Sequence, residues 1–367
     1  MRIFLLPLAG ALSMISVGVT LAQEAASPGA ENQRQQEAAT PPDYKDDRTT
    51  GAALVESYFN AIARKEYNRA WSYFDSDKPS KTFEDFVAGF KGTRDIEIEI
   101  GKPEEEGAAG SVYTNVPVAI RSVDDKGQEK VFTGCYTARS VNPQMQEEPD
   151  FNPGHLTSAK LGPSDAAFLA SVPASCEGKE RLSEEQLWLL RAQRVFDAER
   201  RATCSFYDRE AVPAGNEPKA YTIEYNFSHD EQDMPRRKGF VLEFPCSLGA
   251  YNLGQTYYFA TETDGIKPLH FAVPELDIRY ENEEDPKDVD SMRIIGYNTV
   301  SELINASFDP RTMTFESFSK WRSVGDASSN GRWAFRNGEF SLIYFEVDAS
   351  FDGEINPQDV LNFDAGP

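Results

Sequence analysis

Histidine is scarce in this chain: His155, His229 and His270 are the whole complement of its 367 residues. So few imidazoles leave little material for a histidine-based acid–base pair or a zinc site. His155 is expected in an exposed Pro/Gly-flanked loop without an acid partner, and His270 as a satisfied residue of a strand. His229 sits with Asp230 and Asp233 in a polar loop, read as a solvated hairpin tip with loose metal binding as the alternative. Basic residues are a minority, 37 against 60 acidic, giving a net charge of −23. A surface of that sign repels nucleic-acid phosphates and anionic headgroups, so neither is expected as a partner. The acidity is read as solubility, with runs such as Glu104-Glu105-Glu106 and 281–285 as solvated loops. Also missing are Cys-x-x-Cys, Gly-x-Ser-x-Gly, a phosphate-cradling loop and His-Glu-x-x-His. Those absences remove the usual redox, serine-hydrolase, nucleotide and zinc-protease signatures.

After the first residues no apolar run approaches membrane-spanning length. Met1-Arg2 gives a short positive start, Ile3 to Leu21 is apolar and small, and Thr20-Leu21-Ala22 offers a signal-peptidase site before Gln23. The acidic, Gln-rich stretch that follows lacks the basic cluster of a stop-transfer anchor. A cleaved signal over 1–22 is predicted, hence a periplasmic or secreted protein with no integral membrane segment after cleavage. In such a compartment the four cysteines, Cys135, Cys176, Cys204 and Cys246, read as two disulfides. Three pairings are open; the domain division below favours Cys135–Cys176 and Cys204–Cys246.

What is abundant is aromatic material, 24 Phe and 15 Tyr, which suits pleated, half-buried surfaces. The fold class predicted is α+β: a helix-plus-antiparallel-sheet domain over 49–180, a connecting helix over 181–203, and a mostly antiparallel β domain over 204–367. Residues 23–48 are poor in large apolar side chains and read as a disordered spacer. Leu54, Tyr58 and Ile62, then Ala70, Trp71 and Phe74, fall at helical spacing. Thr82, with Asp85, caps a second helix that ends at Gly92. Period-two segments follow at 96–100, 110–123, 130–141 and 156–161. Ser183-Glu-Glu-Gln186 is a capping-box pattern opening the connecting helix. Leu187, Trp188, Leu190, Val195 and Phe196 let both domains dock on it. Its Arg191, Arg194, Arg200 and Arg201 are read as a solvated face paired with Glu184, Glu185 and Glu199. Beyond it come ten short strands, with turns read at Asp309-Pro310, Asn330-Gly331 and Asn337-Gly338. A sandwich, barrel or small propeller-like array would accommodate them. At their centre, 239–259 reads as a strand, a sharp turn needing glycine φ > 0, and a returning strand.

Two resemblances accompany these patterns. The run from Val55 to Phe74 looks like the opening helices of the nuclear-transport-factor-like cone fold, over about residues 50 to 165. That likeness implies a pocket between helices and sheet, with Tyr58, Trp71, Phe74 and Phe90 as its lining; simple core packing is their other reading. The run Pro245-Cys-Ser-Leu-Gly-Ala-Tyr251-Asn252, with Gly325-Asp326, 331–340 and 352–361, resembles a bacterial family of exported proteins named domain of unknown function 1176. Its pattern implies cysteines where this chain has Ala327 and Phe351, and it supplies no catalytic residues. Tyr251 and Asn252 are candidates either for holding a ligand or for locking the turn.

One stretch has metal-ligand spacing. Asp348, Ser350, Asp352, Asn356 and Asp359 occupy positions 1, 3, 5, 9 and 12 of a calcium-loop pattern, with Gly353 at 6. The strand-like run before it argues against an EF-hand, so calcium stays a weak candidate and no other cofactor is expected. No catalytic set assembles. The function read from the sequence is an exported envelope protein that binds or interacts without catalysis, its partner unknown. The alternative is a small-molecule binder or hydrolase using the N-terminal pocket. A third reading, an inter-protein module, would need an uncovered apolar patch near Trp188 or Trp321.

Overall fold

Thr50 opens the compact unit's first helix: its side chain accepts a hydrogen bond from Ala53 N at 3.1 Å, capping α1 (Gly51–Ala63). The computed structural model describes residues 41–108, 110–142, 154–200, 202–204, 215–231 and 233–363. The predicted signal, most of the spacer and Arg201 lie outside the described residues. The α1 stripe of Leu54, Val55, Tyr58, Phe59 and Ile62 is buried. Lys65, at φ 60°, turns the chain into α2 (Tyr67–Ser72). Thr82 caps α3 (Phe83–Gly89) as expected, but the helix ends at Gly89, before Gly92.

Five strands then form one antiparallel sheet: β1 (Thr93–Ile100), β2 (Glu104–Ala108), β3 (Ser111–Asp124), β4 (Glu129–Val141) and β5 (Gly154–Ser164), in the order β1-β3-β4-β5 with β2 paired to β3. The 14-residue β3 pairs with β4 along one edge and along the other takes two partners in turn, β2 over 111–115 and β1 over 118–124. The acidic run read as a loop is therefore a strand. Its backbone pairs with β3, and its carboxylates suit an edge that must not recruit another chain. A second correction concerns His155, which is buried on β5, with Nε2 4.0 Å from the Asp75 carboxylate. Third, the end of the spacer is pinned to α1 and α2. Lys45 N donates to Asn60 Oδ1, Asp47 N to Ser57 Oγ, and Arg69 to Lys45 O. Polar docking of this kind leaves no apolar trace in the sequence.

The connecting helix α4 (Glu184–Arg200) forms with its capping box closed in both directions. Ser183 N donates to Gln186 Oε1 at 2.8 Å, and Gln186 N to Ser183 Oγ at 3.2 Å. Ser183→Ala is expected to cost about 1 kcal/mol, read as a shift in the urea midpoint; an unchanged midpoint would show the cap to be idle. Leu187 packs with Ala119, Phe168 and Val172 of the first half, whereas Trp188, Ala192 and Phe196 pack with Phe240, Leu242 and Phe244 of the second. Trp188 is thus covered. Two of the arginines pair off the helix. Arg191 and Arg194 reach the buried Glu99 of β1 at 3.5 and 3.2 Å, and Arg194 also donates to Ile100 O. Burial raises the Glu99 carboxyl above its ordinary value, more than the two arginines lower it. Glu184 and Glu185 instead meet Lys238 and Thr222, and Glu199 meets Tyr258.

The second half is built of strands: β6 (Lys219–Tyr225), β7 (Arg237–Leu248), β8 (Leu253–Thr261), β9 (Gly265–Pro268), β10 (Phe271–Tyr280), β11 (Val289–Val300), β12 (Glu302–Ile304), β13 (Ser307–Asp309), β14 (Thr314–Lys320), β15 (Ser328–Arg336), β16 (Glu339–Asp348) and β17 (Gln358–Asn362). One sheet runs β12-β8-β7-β6 with β9 beside β8; β10 and β11 make a two-stranded ribbon; β13 to β17 form an antiparallel meander. Strand β7 is buried from Gly239 to Cys246. Phe240, Leu242 and Phe244 face α4, while Val241 joins the aromatic core with Tyr257, Phe271, Phe315 and Trp333. Burial on both faces is why its sequence reads as a continuous apolar run. Its turn is not the one expected: neither Gly249 nor Gly254 has positive φ, and a Cβ on Gly254 would fall 1.5 Å from Glu302 Oε1. Asn337-Gly338 does turn, with φ of 50° and 90°. Asn330-Gly331 lies inside β15, and His270 is exposed between β9 and β10.

Candidate functional site

Alternation along β3 and β4 builds a cup under α1. On β3, Ile120, Ser122 and Asp124 share one face; on β4, Lys130 and Phe132 lie opposite them, in the pairs Ile120↔Phe132 and Ser122↔Lys130. Each strand therefore passes from apolar at depth to charged at the rim. Tyr58 and Phe59 close the cup from α1, Tyr136 from β4, and Phe90 from the end of α3. The enclosed space is about 680 Å³, within the range of small-molecule sites. Lys91, Lys126 and Lys130 ring its mouth with Asp124 and Asp125.

Deep in the cup the rings of Tyr58 and Tyr136 lie 5.7 Å apart. Burial pushes both phenols up, so they stay neutral at any physiological pH. They offer hydrogen bonds, not a base. Of the residues proposed to line this pocket, Tyr58 and Phe90 do so. Phe74 is core, edge-on to Tyr58 at 5.4 Å, and Trp71 packs on Phe83 and Phe86 of α3. The opposite wall, Ile120, Phe132 and Tyr136, was missed. Its period-two pattern was visible, but which positions of two strands face each other is set by register.

Tyr251 and Asn252 serve the backbone. Asn252 Nδ2 donates to Lys320 O at 2.8 Å, its Oδ1 accepts from Asn305 Nδ2 at 2.9 Å, and Tyr251 Oη reaches Trp321 O at 3.4 Å. They tie the β7–β8 turn to the end of β14. Cysteines pair as Cys135–Cys176 and Cys204–Cys246, with Cα–Cα distances of 5.8 and 4.4 Å. At His229 the ring stacks on Phe227, and Asp230 accepts from Phe227 N and Arg237. That is a closed turn.

The calcium-like stretch is also closed on itself. Asp348 accepts from Ser350 N, Ser350 Oγ and Asn356 N, Asp352 accepts from Glu354 N, and Asp359 stands in β17 accepting from Tyr344 and Asn362. Among the described residues no three of His, Cys, Asp and Glu are placed to hold a metal. The same stretch is clasped from the β14–β15 turn. Asp326, only 1% exposed, accepts from Arg322 Nε at 2.6 Å and from Gly353 N at 2.9 Å, and Arg322 donates to Phe351 O. Hydrogen bonds from an ion-paired turn to the backbone of Phe351 and Gly353 thus join the two segments where the sequence resemblance implies cysteines, at Ala327 and Phe351.

Against known proteins, no family model matches this chain. No curated protein matches it, and no solved structure does.

Proposed function

We propose that this is an exported, non-catalytic binding protein of the bacterial envelope, whose N-terminal cup holds a small molecule with an apolar body and a polar end. The observation that carries the reading is the gradation inside the cup, from neutral aromatic floor to mixed-charge rim. Export is supported by the apolar N-terminal segment and by the two disulfides, which persist in oxidising compartments. The absence of catalysis is inferred from the chemistry of the walls. The deep groups are phenols held neutral, and the carboxylates of Asp124 and Asp125 stand at the mouth, away from the apolar depth of the cup.

The test uses anilinonaphthalene sulfonate, whose apolar rings and single sulfonate match that gradation. It is expected to bind with enhanced fluorescence. Ser122→Trp, which places an indole across the cup without disturbing the floor, is expected to weaken it by roughly tenfold or more, while the melting temperature holds. Equal binding by the variant would remove the cup as the site. Turnover of any substrate in a hydrolase panel, abolished by the same substitution, would replace binding by catalysis.

A further inference from the structure

Between Val172 and Leu182, just before α4, the chain makes a loop closed at its neck. Leu182 N donates to Val172 O at 3.1 Å, Ala174 N donates to Glu180 O at 2.9 Å, and Pro173 bridges Arg181. Beyond the neck the loop bonds to itself, with Gly178 N donating to Ser175 Oγ at 3.1 Å, and residues 177–181 are exposed. Among the described residues no hydrogen bond or ion pair ties 174–180 to the sheet. What fastens it there is one covalent link, from Cys176 to Cys135 of β4.

Register sets what surrounds that link. Cys135 stands opposite Lys160 of β5, so the two side chains leave the same face of the sheet. Gly134 lets the strands close up beside them, because a Cβ there would fall 1.9 Å from Lys160 O. Both cysteines are half-buried and line a groove of about 440 Å³ with Lys160, Lys179 and Arg181, set against Glu177 and Glu180. Cys204 and Cys246 are only 3% and 1% exposed. The two bridges therefore differ in what governs thiol–disulfide exchange, access to sulfur and stabilisation of the departing thiolate. We propose that Cys135–Cys176 is an exchange site for thiol reductants and that its reduction releases 174–180 from the sheet. A thiolate attacks Sγ of Cys176, the sulfur carried by the loop. The S–S bond breaks, and its electron pair leaves on Sγ of Cys135, beside the Lys160 ammonium. A second thiolate attacks the reductant's sulfur in the mixed disulfide and frees the Cys176 thiolate. Two monothiols, or one dithiol, are oxidised to a disulfide, and their two protons pass to the two cysteines. Release opens the groove over Asn115, Thr133 and Thr137.

The test is dithiothreitol on the full oxidised chain, with N-ethylmaleimide trapping and peptide mass mapping. Cys135 and Cys176 are expected to be labelled at least about tenfold faster than Cys204 and Cys246. The rate should be indifferent to sub-denaturing urea, because the native chain is the species that reacts. The reduced chain is expected to keep its near-UV dichroism and to gain amide exchange at 174–181. With glutathione as the reductant, the trapped intermediate is expected to carry glutathione on Cys176 and maleimide on Cys135. Lys160→Gln is expected to slow reduction by about threefold, and Lys160→Arg to leave the rate as it is. Equal labelling of both pairs, or a rate that climbs with urea, would overturn the proposal. So would glutathione found on Cys135, or an unchanged rate in Lys160→Gln.

Discussion

Replacing Cys204 and Cys246 together by alanine is expected to lower the stability of the chain by about 4 kcal/mol. The bridge spans a separation of 42 residues, and a cross-link of that length restricts the unfolded chain by about this much. The native side adds to the argument. Cys204 follows α4 directly, Cys246 ends the buried stretch of β7, and both are sealed among Phe196, Phe244 and Tyr258. Reduction therefore releases the helix end from the strand that both faces of the second half are built on. The measurement is the guanidinium midpoint of the oxidised chain against the double variant. A loss under about 1 kcal/mol, well short of the usual range, would mean that the stacking of Phe196 on Phe244, centroids 4.8 Å apart, holds the helix unaided.

Asp326→Ala should cost about 2 kcal/mol, chiefly from leaving the Gly353 amide without its acceptor, because Arg322 is 39% exposed and its charge can turn to water. Three donors lose their acceptor at once: two nitrogens of Arg322 and the amide of Gly353. Asn at the same position keeps an acceptor for Gly353 but no charge for Arg322, so Asp326→Asn is expected to lose about half as much. Urea unfolding of the three proteins checks the order. If alanine and asparagine cost the same, the Gly353 hydrogen bond contributes nothing and the loss lies with the charge. The clasp also bears on Phe351, whose ring lies under the Arg322 guanidinium at 5.3 Å. Removing the carboxylate frees that arginine, so amide exchange at 351–356 should rise with the loss of stability.

Much of the fold was legible because its signals are local. Thr82 and the reciprocal Ser183–Gln186 box each declare themselves within one helical turn, and the Leu54–Tyr58–Ile62 stripe within about two. The long strands β3 and β4 declare themselves by alternation. What stayed hidden depends on partners far away in sequence. β2 looks like a loop because its composition answers to its place at an edge. Arg191 and Arg194 look like a solvated face until β1 brings Glu99 under them. His155 looks exposed because Pro and Gly flank it, yet its strand turns it inward beside Asp75. The cup was half legible for the same reason. Tyr58 is announced by helix periodicity, whereas Ile120 and Phe132 become one wall only through the register of β3 on β4.

Helix α4 also dictates an order of events during synthesis. A ribosome delivers the whole sheet β1–β5 by Ser164, but Ala119, Phe168 and Val172 stay uncovered until Leu187 has emerged. That same helix turn brings Trp188, and soon Ala192 and Phe196, whose cover is Phe240 to Phe244 on a strand still to be made. The first half therefore closes over a lid whose outer side is greasy. A nascent or truncated chain ending before Gly239 presents that stripe to its surroundings, in the form that chaperones hold and proteases cut.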